Sequence, residues 1–147
     1  MAVAGLAAGF LPTAGGAAPA CAPAVVPADE AALTAMIADQ RHAAKAPKVV
    51  KDVTLLQAGR RKSLAMARGG AFDHSGSMTW SQGRAGAQNI AMAPTPDVAF
   101  RAMLASPPHR ANIMAKEWRF TGVGAARDCF GQVFYTVNFM APPPPES

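Results

Sequence analysis

The first 27 residues of this 147-residue chain contain no charged side chain, and the first basic residue is Arg41. Pro12 and the pair Gly15-Gly16 interrupt that stretch, which is short for a span, and argue against a membrane-spanning helix there. Large apolar side chains are scarce, with seven Phe, two Trp and one Tyr, so alanine accounts for much of the 50% hydrophobic content. A core built from so few aromatics is small and would gain from a covalent staple. No internal repeat of about 20 to 50 residues is visible, which excludes a solenoid. Cysteine is nearly absent as well: Cys21 and Cys129 are the only two.

What the chain does hold divides it into three parts. Residues 1–27 read as a signal-like or disordered Ala/Pro-rich segment, residues 28–140 as one folded domain, and residues 141–147 as a Pro-rich tail. Ala18-Pro19-Ala20 before Cys21 fits a signal-peptidase pattern, and on that reading the protein is exported. In an oxidising compartment Cys21 and Cys129 can pair. The closed loop of about 108 residues would then be worth about 4 to 5 kcal/mol. Lipidation of Cys21 is the rival reading, weakened because no Leu stands three positions upstream. Cys129 as a nucleophile lacks an obvious activating base.

Apolar spacing predicts helices in the first two thirds of the domain. Leu33, Met36, Ile37 and Gln40 follow one another at helical intervals, with Asp29 as N-cap and Pro47 as the stop. A second helix is expected over 52–68, with Val53, Leu56, Gly59, Ser63 and Met66 inward and Gly69-Gly70 ending it. Residues 71–94 read mostly as loop. A third helix fits 96–105, stopped by Pro107-Pro108. Residues 120–126 and 132–139 read as two strands around an Asp128-Cys129-Phe130-Gly131 turn. Helices first and an antiparallel hairpin last indicate an α+β domain.

Chemistry concentrates in four short motifs: Phe72-Asp73-His74, Gly86-Ala87-Gln88-Asn89-Ile90-Ala91, Ser106-Pro107-Pro108-His109-Arg110-Ala111-Asn112-Ile113-Met114, and Thr121-Gly122-Val123-Gly124. In this order they resemble the CAP superfamily, whose SCP-like bacterial branch carries F-x-H, G-E-N-I-A, S-P-x-H-R-x-N-I-L and G-V-G. Leu33 to Arg41 is similar to the opening L-x-x-x-I-N-x-x-R of that family. The resemblance implies an α-β-α sandwich, with helices flanking a small antiparallel sheet. It also implies a cleft lined by His74, Gln88, Asn89 and His109, in which His74 and His109 correspond to residues that can hold zinc or another divalent cation. Met103 stands where a Trp commonly precedes the histidine turn, and a reshaped cleft wall is expected there.

One letter departs from the family at the decisive place. Gln88 stands where the family has glutamate, and an amide can neither neutralise a cation nor act as a base. No catalytic residue is therefore assigned, and a degenerate binding cleft is the leading expectation. The alternative is a metal-dependent, peptidase-like hydrolase using His74 and His109. Asp73, Glu117 and His42 read as surface residues, and Ser106 lacks the context of a serine triad.

The net charge of +5 favours anionic partners. Eight of the 14 Lys/Arg residues lie between Arg41 and Arg68, opposed there only by Asp52. This run is either a solvated helix face or a docking face for an anionic envelope polymer or lipid, with peripheral membrane contact. Nucleic acid is not expected as a partner, since aromatics do not interleave with the basic residues. The expected setting is secreted, periplasmic or at the cell envelope, and the expected state is a monomer.

Overall fold

A computed structural model describes residue 15, residues 20–74 and residues 78–146. Most of the signal-like segment lies outside the described residues. The elements run β1 (Ala24–Val25), α1 (Pro27–Ala43), β2 (Val50–Lys51), α2 (Val53–Ala67), a 3-10 turn at Thr79–Ser81, β3 (Gly86–Ala93), α3 (Pro96–Ala105), α4 (Pro107–Met114), β4 (Phe120–Arg127) and β5 (Val133–Met140). The sheet order is β1-β4-β5-β3, with β2 also pairing β4. All pairings are antiparallel except β2 with β4. The sheet thus begins ahead of residue 28.

Alternation along the strands sorts side chains into two layers. Val123, Ala125, Val133, Tyr135, Val137 and Phe139 point to one face, where Leu33 and Ile37 of α1, Ala99 and Met103 of α3, and Ile113 of α4 cover them. The other face belongs to α2. There Met66 and Ala67 pack on Ile90, Ala126 and Phe134, and Leu55 packs with Trp80 and Met140. The result is an α-β-α sandwich.

The backbone of α2 rests directly on β4 where β4 presents Gly122 and Gly124 beneath it. A Cβ on Gly122 would lie 2.1 Å from the Leu56 nitrogen, and one on Gly124 would lie 2.1 Å from the Gly59 carbonyl carbon. Gly59 completes the contact from the helix side, since its own Cβ would meet Gly124 N at 2.8 Å. Ser63, one turn on, donates to Gly124 O at 3.0 Å.

Two charged residues are buried structural clamps. Glu30 holds Arg60 through both carboxylate oxygens, at 2.6 Å to Nη2 and 2.9 Å to Nε, and also accepts from Ala125 N at 3.2 Å. That ion pair joins helices on opposite faces of the sheet, and it raises the Arg60 pKa chiefly through the hydrogen bond to Glu30. Arg41 is 1% exposed. It donates to Ile113 O at 2.8 Å, Ala115 O at 2.7 Å and Pro47 O at 2.7 Å, capping the C-terminal end of α4 where a cation suits the helix dipole.

Several expectations need correction. Helix α1 begins at Pro27 with Val26 as its cap position, and Asp29 instead accepts from the Tyr135 hydroxyl at 2.9 Å. Asp52 does cap α2, accepting from Leu55 N at 3.0 Å, but Val53 is 66% exposed rather than inward because it opens the helix. The stretch read as loop over 71–94 contains the full eight-residue strand β3. Pro107-Pro108 does end α3, yet it also starts α4, since proline in a first helical turn needs no N–H partner.

The cysteines are bonded. Cys21 joins Cys129 with the Cα atoms 5.8 Å apart, fastening the segment before β1 to the β4–β5 turn. This removes lipidation of Cys21 and nucleophilic Cys129 from consideration in this state.

Candidate functional site

Strand β3 gathers the site because two adjacent residues of the edge strand point to opposite faces. Gln88 faces the α2 layer. Its Oε1 lies 3.1 Å from His74 Nδ1, and its Nε2 donates to Asn138 Oδ1 at 2.9 Å on the neighbouring strand, where Gln88 and Asn138 are direct partners. Asn138 is fully buried and donates in turn to Leu55 O at 3.0 Å. Asn89 faces the other layer. Its Nδ2 donates to the backbone carbonyl of His109 at 2.9 Å, and its Oδ1 accepts from Asn112 Nδ2 at 2.8 Å. The two histidines therefore reach the site from opposite layers, past the edge of β3.

The amide chain has only one consistent polarity. A carbonyl can only accept, so Leu55 O obliges Asn138 to present Nδ2 there and Oδ1 to Gln88. Gln88 must then give its Nε2 to Asn138 and its Oε1 to His74. An oxygen at that position requires a proton on His74 Nδ1, which leaves Nε2 of the neutral imidazole as an open acceptor.

His109 sits on α4, half-buried, while His74 is exposed. Desolvation lowers the His109 pKa from 6.5, and the charge of His74 lowers it further. That mutual repulsion marks the two imidazoles as neighbours. At neutral pH His109 is thus held in its neutral form, in a site of two imidazoles and one amide.

Such a donor set does not fit a zinc centre. Zinc sites use imidazole nitrogens together with thiolate or carboxylate. Here the third member is an amide already engaged at both ends, and the described residues contain no group of three His, Cys, Asp or Glu side chains able to hold a metal. General base chemistry is likewise closed to Gln88.

The remaining sequence candidates fall elsewhere. Asp73 is exposed and pairs with Lys62 at 3.5 Å, Glu117 is exposed, and His42 lies exposed at the end of α1. Met103 is not a cleft wall: it is 1% exposed in the α1–α3 core. Asn138 and Asn112 are the members that sequence reasoning missed. A lone Asn within the apolar run Val133-Phe134-Tyr135-Thr136-Val137-Asn138-Phe139 was the available signal.

A family model described as the cysteine-rich secretory protein family, CAP, matches residues 34–139, and the chain belongs to this family. Comparison with curated protein sequences gives no match. Among solved structures, an outer surface protein of Borrelia burgdorferi superposes with a TM-score of 0.72 at 14% identity, covering 82% of this chain and 98% of that one. An extracellular SCP-domain protein of Bacillus anthracis gives 0.69 at 21% identity, covering 79% of this chain and 41% of that chain. A cysteine-rich secretory protein of Staphylococcus aureus gives 0.66 at 16%, covering 79% and 39%. This chain thus spans about two fifths of the last two. At these identities the likeness concerns the fold.

Proposed function

We propose that this CAP domain is a non-catalytic binding module working outside the cytoplasm, at the cell envelope. The observation that carries the reading is the chain from Leu55 O through Asn138 and Gln88 to His74, in which an amide occupies the family's carboxylate position and is matched to its neighbours. The cleft then recognises a ligand by hydrogen bonds from two imidazoles and an amide, as suits a hydroxyl-bearing polymer or polar headgroup. An extracytoplasmic setting is supported by the Cys21–Cys129 bond and by the surface or extracellular descriptions of the bacterial neighbours. The basic balance supports an anionic envelope polymer or lipid as partner.

Calorimetric zinc titration of the full chain, beside His74→Ala, His109→Ala and Gln88→Glu, tests the reading. Wild type should show no specific heat of binding in the micromolar range. Micromolar zinc affinity in wild type, lost in both histidine variants, would overturn the proposal in favour of a metal-dependent hydrolase.

A further inference from the structure

The tip of the β4–β5 hairpin shows solvent an aromatic ring that the turn does not need. Phe130 is 92% exposed. The turn itself is made by Asp128, whose Oδ1 accepts from the backbone N–H groups of Phe130 at 2.8 Å and Gln132 at 2.9 Å, and by Gly131 at φ 88°. Any residue could stand at 130 on those terms.

Phe130 is not alone. Phe72 and Met92 are 52% and 55% exposed, and both border Phe134. The Phe72 ring meets that of Phe134 edge-on at 6.2 Å, and Met92 is the direct cross-strand partner of Phe134. An open groove of about 430 Å³ runs between Phe130 and Phe134, with Met66 and Arg68 on its wall. Exposed apolar side chains grouped in this way mark an interaction surface.

Its charge says what kind of surface would meet it. Arg68 lines the groove, and Arg61, seven residues earlier and therefore on the same face of α2, is exposed. Asp128, the acid on the groove, has Oδ1 committed to the turn N–H groups.

We propose that this end of the molecule docks on an anionic lipid bilayer. Phe130 enters the headgroup–acyl boundary with Phe72 and Met92 beside it, while Arg61 and Arg68 meet lipid phosphates. An aromatic tip flanked by cations, on an open and shallow groove, suits a fluid surface better than a shaped protein partner. The inference rests on the envelope reading and names its partner. It also places the exposed His74, two residues beyond Phe72, close to the docked face.

The test uses the full oxidised chain and vesicles of equimolar phosphatidylglycerol and phosphatidylcholine, with pure phosphatidylcholine as control. Wild type should co-sediment with the anionic vesicles only, and more weakly as salt rises. Phe72→Ser/Phe130→Ser and Arg61→Glu/Arg68→Glu should each lower partitioning by about tenfold or more, with near-UV dichroism unchanged. A Phe130→Trp variant should shift its emission to the blue on anionic vesicles, against the buried Trp80 and Trp118. No binding at low salt, or binding kept in full by the aromatic double variant, overturns the inference. So does sedimentation showing a dimer abolished by Phe130→Ser, which would make a second copy the occupant. A parallel arm with purified peptidoglycan separates the two claims: binding there without vesicle binding removes the bilayer and keeps the envelope, while binding to neither removes both.

Discussion

Gln88 Nε2 donates to Asn138 Oδ1 at 2.9 Å across the β3–β5 pair, and this contact accepts an amide but not a carboxylate. Restoring the family's glutamate at position 88 would set two oxygens against each other. Turning the Asn138 amide would only move the conflict to Leu55 O.

Gln88→Glu should therefore cost about 1 to 3 kcal/mol at pH 7.5 in chemical denaturation. Its folded-state carboxyl is expected above the ordinary value of about 4.3, because Asn138 Oδ1 opposes the charged form. The deficit is then present above that raised pKa and is relieved as pH falls through it. A variant as stable as wild type at pH 7.5 would show that the amide polarity does not matter.

Gly124→Ala should be among the most damaging small changes available. The added Cβ meets helix backbone at Gly59 and Arg60, which cannot rotate aside. A loss of about 3 kcal/mol, at the upper end of the overpacking range, should appear as a lower denaturation midpoint. Gly131→Ala, strained only by its positive φ, should cost about 1 kcal/mol.

Removing the disulfide should cost about 2 to 5 kcal/mol, because Cys21 and Cys129 close most of the chain into one loop. A reductant should lower the melting temperature of wild type and leave Cys21→Ser/Cys129→Ser unmoved. Hydrogen exchange should accelerate first at Val26 N, which bonds Ala125 O at 3.0 Å just beyond β1.

His109 should make stability fall with acid. Burial, then the charge of His74, holds its folded pKa below 6.5. Between those two values the unfolded chain binds more protons than the folded one, so stability rises with pH. It is fully present above 6.5 and is lost as pH falls toward the depressed folded value. His109→Asn should flatten the stability profile in that window, and an unchanged slope would assign the effect elsewhere.

Much of this architecture was legible in the sequence, and the misses share physical causes. Helix α3 and the β4–β5 hairpin follow from plain periodicity with clean punctuation. Strand β3 was hidden because its members are small or polar: Ala87, Ala91 and Ala93 on one face, Gln88 beside them for the site. Helix α4 was hidden by reading proline as a stop when it was also a start. Glu30 and Arg41 were hidden because charge in sequence signals exposure, and only the fold supplies the partners that let them be buried. The site residues came from motif order, whereas Asn138 is tied to Gln88 only by strand register.

Long-range proton–nitrogen NMR of the histidine imidazoles, with and without zinc, tests the central claim most directly. The amide chain requires neutral His74 to carry its proton on Nδ1, and neither its nitrogen shifts nor those of His109 should move with zinc. A His74 protonated on Nε2, or zinc-dependent shifts at both histidines, would contradict the reading of this cleft as a hydrogen-bonding site rather than a metal centre.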